Sequence, residues 1–104
     1  MAWLVLVVAG LLETVWALAL KQSDGFSKLG PSLVFAVACV ASMVLLAFAL
    51  RSLPVGTGYA VWTGIGTVGT AVLGIALFGE PATALRLASI GLIVSGIIGL
   101  KLVT

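Results

Sequence analysis

One acidic side chain of this sequence, Glu13, stands in the middle of an otherwise apolar run from Ala2 to Leu20. If the run crosses a bilayer as a helix, Glu13 lies about ten residues from each end, roughly 15 Å deep and near the midplane. A carboxylate at that depth is costly unless it is paired, protonated or hydrated, so such residues usually mark ion or substrate sites. The simpler alternative is a protonated structural Glu that is hydrogen-bonded to another helix.

The helix face around Glu13 favours a binding site. Gly10 and Ala17 lie one turn before and after it, and small residues allow a helix or a ligand to approach closely. Trp16 lies three residues after Glu13 and therefore near it on the helix surface. The face of its indole ring could attract a cation, although Trp16 could equally be a packing residue. No Lys or Arg lies at the same depth, so the natural counter-ion of Glu13 is a proton or an imported cation. A carboxylate that binds either one, and opens alternately to each side, couples the two flows in opposite directions.

The second and third apolar segments carry three further polar or aromatic side chains that could belong to a site. Ser42 lies near the middle of the second apolar segment, where its hydroxyl could donate to Glu13 or to a carbonyl of its own helix. Tyr59 and Trp62 are three residues apart in the glycine-rich third segment and therefore share a helix face. That face suits either a flexible pocket wall or tight packing of small residues.

Four apolar segments, each about as long as a membrane helix, position these residues. Their predicted ranges are about 2–20, 31–50, 55–78 and 85–103. The connections are short, so consecutive helices are expected to be antiparallel neighbours in a single all-α membrane domain over 1–104. Asp24 and Glu80 fall in the connections and are interpreted as solvated or capping residues.

The composition excludes several other classes of protein. The chain has 104 residues, of which 62% are hydrophobic and 8% charged, whereas a soluble domain carries about 25% charged residues. A soluble enzyme is therefore not expected, and the scattered net charge of +2 argues against nucleic-acid binding. With no His and a single cysteine, Cys39, the sequence predicts no metal site, no intramolecular disulfide and no cofactor.

The fourth segment carries a stripe of small residues and no acid or aromatic. Ser89 and Gly96 are seven residues apart, and Ser95 and Gly99 form a small-xxx-small pair. Such stripes mediate close helix contacts in lipid, so the segment is predicted to be a dimerisation helix, with packing inside one chain as the alternative. Four helices with one acid are too few to enclose a pathway, which favours a homodimer of eight helices.

The charges do not fix an orientation in the membrane. One side holds Arg51 and Lys101, and the other holds Lys21, Lys28 and Arg86. The positive-inside rule depends on a clear excess of Lys and Arg, so this near balance leaves both a single orientation and insertion in two orientations open. If the chain inserts both ways, the dimer is antiparallel and supplies the inverted symmetry that many alternating-access carriers have.

Over its whole length the sequence resembles the small multidrug resistance transporters. The matching residues are the Glu13-x-x-Trp16 pair, the stretch from Pro54 to Gly66 that contains Gly-Tyr59-Ala-Val-Trp62, and Phe78-Gly-Glu-Pro81. Further marks resemble the guanidinium exporter subtype: Trp62-Thr-Gly-Ile-Gly66, Leu85-Arg-Leu87 and the ending Gly96-Ile-Ile-Gly-Leu-Lys101. Gly58 is a departure, because many relatives have Ala before the Tyr.

The resemblance implies a bacterial inner-membrane antiporter that works as an antiparallel, dual-topology homodimer. Guanidinium-type cations and protons would compete for Glu13 of both subunits, and helix four would carry the dimer contact. The resemblance also implies that Ser42, Tyr59 and Trp62 orient the carboxylates and that Trp16 and Gly10 belong to the pocket. A polyspecific exporter of quaternary ammonium drugs on the same scaffold stays open as the alternative, as does a membrane scaffold that does not transport.

Overall fold

The computed structural model describes residues 1–103, and it is all-helical. Over those residues there are four α-helices, each long and apolar enough to cross a membrane. They are α1 (Ala2–Gln22), α2 (Leu29–Ala49), α3 (Val55–Phe78) and α4 (Ala84–Val103). The prediction of an all-α chain with four helices long and apolar enough to span a membrane is therefore confirmed. The bounds differ from those predicted mainly around the first connection, where α1 extends past Leu20 to Gln22 and α2 begins at Leu29.

The first connection is a tight turn that needs no long loop. Ser23 is buried at the end of α1, where its hydroxyl donates to the carbonyl of Leu20 at 2.7 Å and accepts the backbone N–H of Phe26 at 3.1 Å. Pro31 lies in the first turn of α2, where its missing N–H costs little. The short connection makes α1 and α2 antiparallel neighbours.

The four helices form a flat layer rather than a round bundle, with overall extents of 41 × 34 × 17 Å. In it α1 is central and packs against both α2 and α3, whereas over the described residues the backbone of α4 approaches only that of α3. The buried core is small and joins the first three helices; it consists of Leu6, Ala9, Leu46, Ala49, Val61 and Trp62. Much of the remaining apolar surface is exposed, as expected for helices that face lipid or a second chain.

Glycines bring α1 and α3 unusually close together. A Cβ atom added at Gly10 would lie 2.7 Å from the side chain of Ile65. A Cβ atom added at Gly69 would overlap the side chain of Thr14. Small residues at a helix interface permit this approach of the two backbones. The two contacts lie on either side of Glu13 along α1, where this helix packs against α3.

Candidate functional site

The carboxyl group of Glu13 points from α1 onto the backbone of α3. It occupies the space beside Gly66 that a side chain there would fill, since a Cβ atom at that glycine would overlap the carboxyl carbon and Oε1. The Oε1 atom is buried and has no hydrogen-bond partner among the residues 1–103. A buried polar atom without a partner is rare in folded proteins, so this carboxyl group is available to a ligand or a proton.

A cavity of about 440 Å³ opens beside this carboxyl group. Its lining comes from α1, α3 and the connection to α4: Glu13, Ala17, Gly66, Thr67, Thr70, Ala71, Glu80 and Arg86. Arg86 is the one cationic side chain in that lining, and its Nη2 is bonded to Oε1 of Glu80 at 2.6 Å. Within the described part of the chain, Glu13 therefore has no cationic partner.

Thr14 fixes Glu13 against α3. Its Oγ1 lies 3.3 Å from the carbonyl oxygen of Gly66 and 3.4 Å from that of Gly10. One hydroxyl thus connects α1 to the glycine that faces the Glu13 carboxyl group. Thr14 was not among the predicted site residues, although a polar residue next to an intramembrane acid is itself a signal.

Ser42, Trp62 and Tyr59 form a separate cluster. The Ser42 hydroxyl donates to the carbonyl oxygen of Ala9 at 2.6 Å, and the Trp62 indole N–H donates to Ser42 Oγ at 2.9 Å. In the single chain Ser42 therefore bonds neither Glu13 nor its own helix. The Tyr59 ring lies 5.4 Å from the Trp62 ring, and its side chain is 56% exposed. The cluster ties α1, α2 and α3 together about one turn from Glu13.

Trp16 faces α2 rather than the cavity. Its ring packs edge-on against Phe35, with the ring centroids 5.7 Å apart, and it is not part of the cavity lining described above. Its Nε1 is buried without a hydrogen-bond partner within residues 1–103. Gly10 contributes by close packing against Ile65 and does not line the cavity.

The small-residue stripe of α4 is free in this chain. All 20 residues of α4 are described and none of them is buried. Ile93 and Ile97 face Gly64 of α3, whereas the stripe residues Ser89, Ser95 and Gly96 are exposed. The Ser89 and Ser95 hydroxyls donate to carbonyls of their own helix at 2.8 Å, and Gly96 and Gly99 have open space where a Cβ atom would be.

Three more residues that were not predicted to belong to the site line the cavity. Thr67 and Thr70 bring hydroxyls to the α3 wall, and Glu80 closes the end of the cavity with Arg86. The spacing of Thr63, Thr67 and Thr70 places polar groups on one helix face, and this pattern was visible in the sequence. Glu80 is partly exposed, in keeping with its interpretation as a solvated residue, and it also forms an ion pair with Arg86.

Comparison with known proteins places these features in a family. The family description "Small Multidrug Resistance protein" matches residues 1–93. The chain belongs to the small multidrug resistance family. The resemblance inferred from the Glu13, Tyr59 and Trp62 motifs is thereby confirmed. Small multidrug resistance proteins are transporters, so the four apolar helices belong to a multi-pass membrane transport protein.

Three similar relatives are each named a guanidinium exporter. A guanidinium exporter of Yersinia pseudotuberculosis is 64% identical over 102 residues, which cover 98% of each chain. A guanidinium exporter of Escherichia coli K12 is 62% identical over 104 residues, covering 100% of this chain and 99% of the other. A guanidinium exporter of Salmonella typhimurium is 60% identical over 102 residues, covering 98% and 97%.

Proposed function

We propose that this protein is a proton-coupled antiporter that exports guanidinium, and small substituted guanidiniums, across the bacterial inner membrane. The observation that carries the proposal is the Glu13 carboxyl group, which borders a cavity and has no cationic partner within residues 1–103. The names of the relatives described above supply the substrate class.

The lining of the cavity suits a small planar cation. Guanidinium is permanently charged, and one edge presents two parallel N–H donors to a carboxylate, as an arginine head does. The hydroxyl oxygens of Thr67 and Thr70 can accept further N–H groups at the α3 wall. A quaternary ammonium ion has no N–H to donate and would leave these acceptors unused.

Coupling follows from competition for one group. A carboxylate that holds a guanidinium ion is ionised, and a protonated carboxyl group has lost the charge that attracts the ion. If Glu13 opens alternately to the two sides and returns only when it is loaded, each cation that leaves is exchanged for protons that enter. The close contact between Glu13 and the bare backbone at Gly66 makes the α1–α3 seam the element that would change during this exchange.

The transporting unit is proposed to be an antiparallel, dual-topology homodimer. The free stripe of α4, with open space at Gly96 and Gly99, would supply the dimer contact. The exposed Tyr59 ring is the member of the aromatic cluster that is free to reach a second protomer. Two chains in opposite orientations would provide two Glu13 carboxylates and eight helices around one pathway.

The test is the electrical current that guanidinium evokes from purified protein on a solid-supported membrane. We expect Glu13→Gln to abolish this current, because the amide keeps the shape of the side chain and loses the charge. Asp24→Asn is the matched control, since it makes the same change at an exposed acid in the first connection, and it should retain the current.

A quaternary ammonium ion run beside guanidinium tests the substrate class. A guanidinium current with little quaternary ammonium response agrees with the proposal, and comparable currents would favour a polyspecific exporter. A guanidinium current that survives Glu13→Gln contradicts the proposed mechanism. The absence of current with either cation would favour the alternative of a membrane scaffold that does not transport.

A further inference from the structure

The ion pair at the end of the Glu13 cavity is built by the chain reversal that follows α3. Gly79 ends α3 in the left-handed region, with φ of 66°, which a glycine adopts without steric cost. The backbone N–H of Glu80 then lies 3.4 Å from the carbonyl oxygen of Gly74. The Glu80 carboxylate folds back over Gly74, in the space that a Cβ atom there would take. This turn directs an acid of the connection into the cavity.

Arg86 reaches the same carboxylate from the first turn of α4. Its backbone N–H donates to Thr83 Oγ1 at 3.2 Å, which fixes the start of the helix. Its guanidinium group makes one hydrogen bond to Glu80, from Nη2 to Oε1 at 2.6 Å. This is a single bond rather than the paired, fork-like contact that guanidinium and carboxylate groups can form.

The Glu80–Arg86 pair is accessible enough to exchange partners. The side chains of Arg86 and Glu80 are 34% and 38% exposed, respectively. For a partly exposed ion pair of this kind, the equilibrium between the paired and the separated side chains favours the pair by only about two- to fivefold. A free cation in the cavity mouth can therefore compete with Arg86 for the carboxylate.

The pair and Glu13 border one continuous space. Both line the cavity of about 440 Å³, with the hydroxyl-bearing Thr67 and Thr70 on the wall they share. Thr70 and Glu80 also line an adjoining cavity of about 110 Å³ that reaches Lys21 at the end of α1. Glu80 lines both cavities, so an ion that moves from one to the other comes close to its carboxylate.

We propose that the Glu80 carboxylate is a second guanidinium-binding site at the mouth of the Glu13 cavity, and that the Arg86 side chain occupies it until a free guanidinium ion displaces it. The head of Arg86 is itself a substituted guanidinium, so the pocket around Glu80 already accommodates this chemical group. The role of the site in transport rests on the proposed function, whereas the displacement of Arg86 by the free ion does not.

The first test compares two substitutions that break the same ion pair. Glu80→Gln removes the binding group, so the guanidinium concentration for half-maximal current should rise about two- to fivefold. Arg86→Gln removes the resident competitor, so this concentration should fall by a similar factor. If the pair only fastens α3 to α4, both substitutions act in the same direction, and that result would overturn the proposal, as would no change in either. Asp24→Asn and Lys28→Gln serve as matched controls. Each removes one exposed charge, negative and positive respectively, from the connection between α1 and α2, which lies at the same end of the molecule as Glu80 and Arg86.

A double substitution separates displacement from a general charge effect. If Arg86 acts by occupying Glu80, then Arg86→Gln has no effect on guanidinium affinity in a Glu80→Gln background. If Arg86 acts by repelling cations from Glu13, its removal still lowers the half-maximal concentration in that background, and the proposal fails.

A binding measurement tests the displacement of Arg86 without a transport assay. In Glu13→Gln protein the proposed deep site is removed, and the side-chain ¹⁵N resonance of Arg86 reports on Glu80 directly. Guanidinium chloride should shift this resonance with a midpoint in roughly the millimolar range, because a tethered side chain competes at about that effective concentration. Potassium chloride at the same ionic strength should not shift it. The absence of a guanidinium-specific shift would overturn the inference. If the resonance shifts but the native protein gives no guanidinium current, only the proposed function is refuted.

Discussion

Trp62 donates its indole N–H to the hydroxyl oxygen of Ser42 at 2.9 Å, and Ser42 donates in turn to the carbonyl of Ala9 at 2.6 Å. The three groups belong to α3, α2 and α1, and the Ser42 side chain is fully buried. The hydroxyl therefore acts as a three-helix junction. It lies about one turn from Glu13, so it positions the α1 segment that carries the acid.

Ser42→Ala should destabilise the protein by about 1–3 kcal/mol, because it leaves the buried Trp62 N–H without an acceptor. Denaturant unfolding followed by Trp fluorescence measures this loss. Transport should fall less than it does in Glu13→Gln, since the acid itself is intact. In Trp62→Phe the donor is absent, so adding Ser42→Ala should cost less there than in the native background. If Ser42→Ala lowers the free energy of unfolding equally in both backgrounds, that result would argue against the hydrogen bond between Trp62 and Ser42.

Gly66→Ala should strongly reduce guanidinium transport, because the added methyl group overlaps the Glu13 carboxyl group. Overpacking of this kind costs about 1–3 kcal/mol, and here it also displaces the proposed binding group. Initial rates of transport in proteoliposomes measure the effect. Gly56→Ala is the matched control on the same helix, because a Cβ atom there meets open space. Native rates in Gly66→Ala would contradict the close contact.

Gly96→Leu should weaken the homodimer while leaving the fold of each chain intact, because Gly96 is exposed and has open space beside it. Energy transfer between labelled chains in detergent measures dimer formation, and circular dichroism checks the helices. Gly91→Leu is the control, because Gly91 is also open and lies about 140° around the helix from Gly96. Unchanged energy transfer in Gly96→Leu would show that the dimer uses another surface.

Lower pH on the side that supplies guanidinium should raise the concentration needed for half-maximal transport. A protonated Glu13 cannot form the ion pair, so competition by one proton raises this concentration by up to about tenfold for each pH unit. Currents recorded over a matrix of pH and guanidinium concentrations test the relation. A half-maximal concentration that does not change with pH would exclude competition for a common group.

Much of the fold was predictable because hydropathy is a property of consecutive residues. Four apolar segments separated by charged connections indicated four helices, and the observed helices fall on the same segments. The ends near Gln22 and Leu29 were less predictable, because polar residues between two helices can extend a last turn or form the connection. There the buried Ser23 hydroxyl, which bonds Leu20 and Phe26, determines where the chain turns.

The site was predictable at one residue and less so at its neighbours. Glu13 stands out because a charge inside an apolar run is visible without any tertiary contact. The partner of Ser42 was not visible, because a shared depth in the membrane does not say which helix faces meet. Trp16 shows the same difficulty: it lies three residues from Glu13 but packs against Phe35 of α2.

The sequence by itself determined the membrane class, the four helices, the single intramembrane acid and the family, because each depends on residue types at fixed spacings along the chain. The tertiary structure decided which groups surround that acid. Gly66 could be recognised as the surface beneath Glu13 only once α1 and α3 were packed together. Glu80 became part of the cavity only because the chain reverses at Gly79 and returns with Arg86, which brings together two charges that hydropathy assigns to a connection.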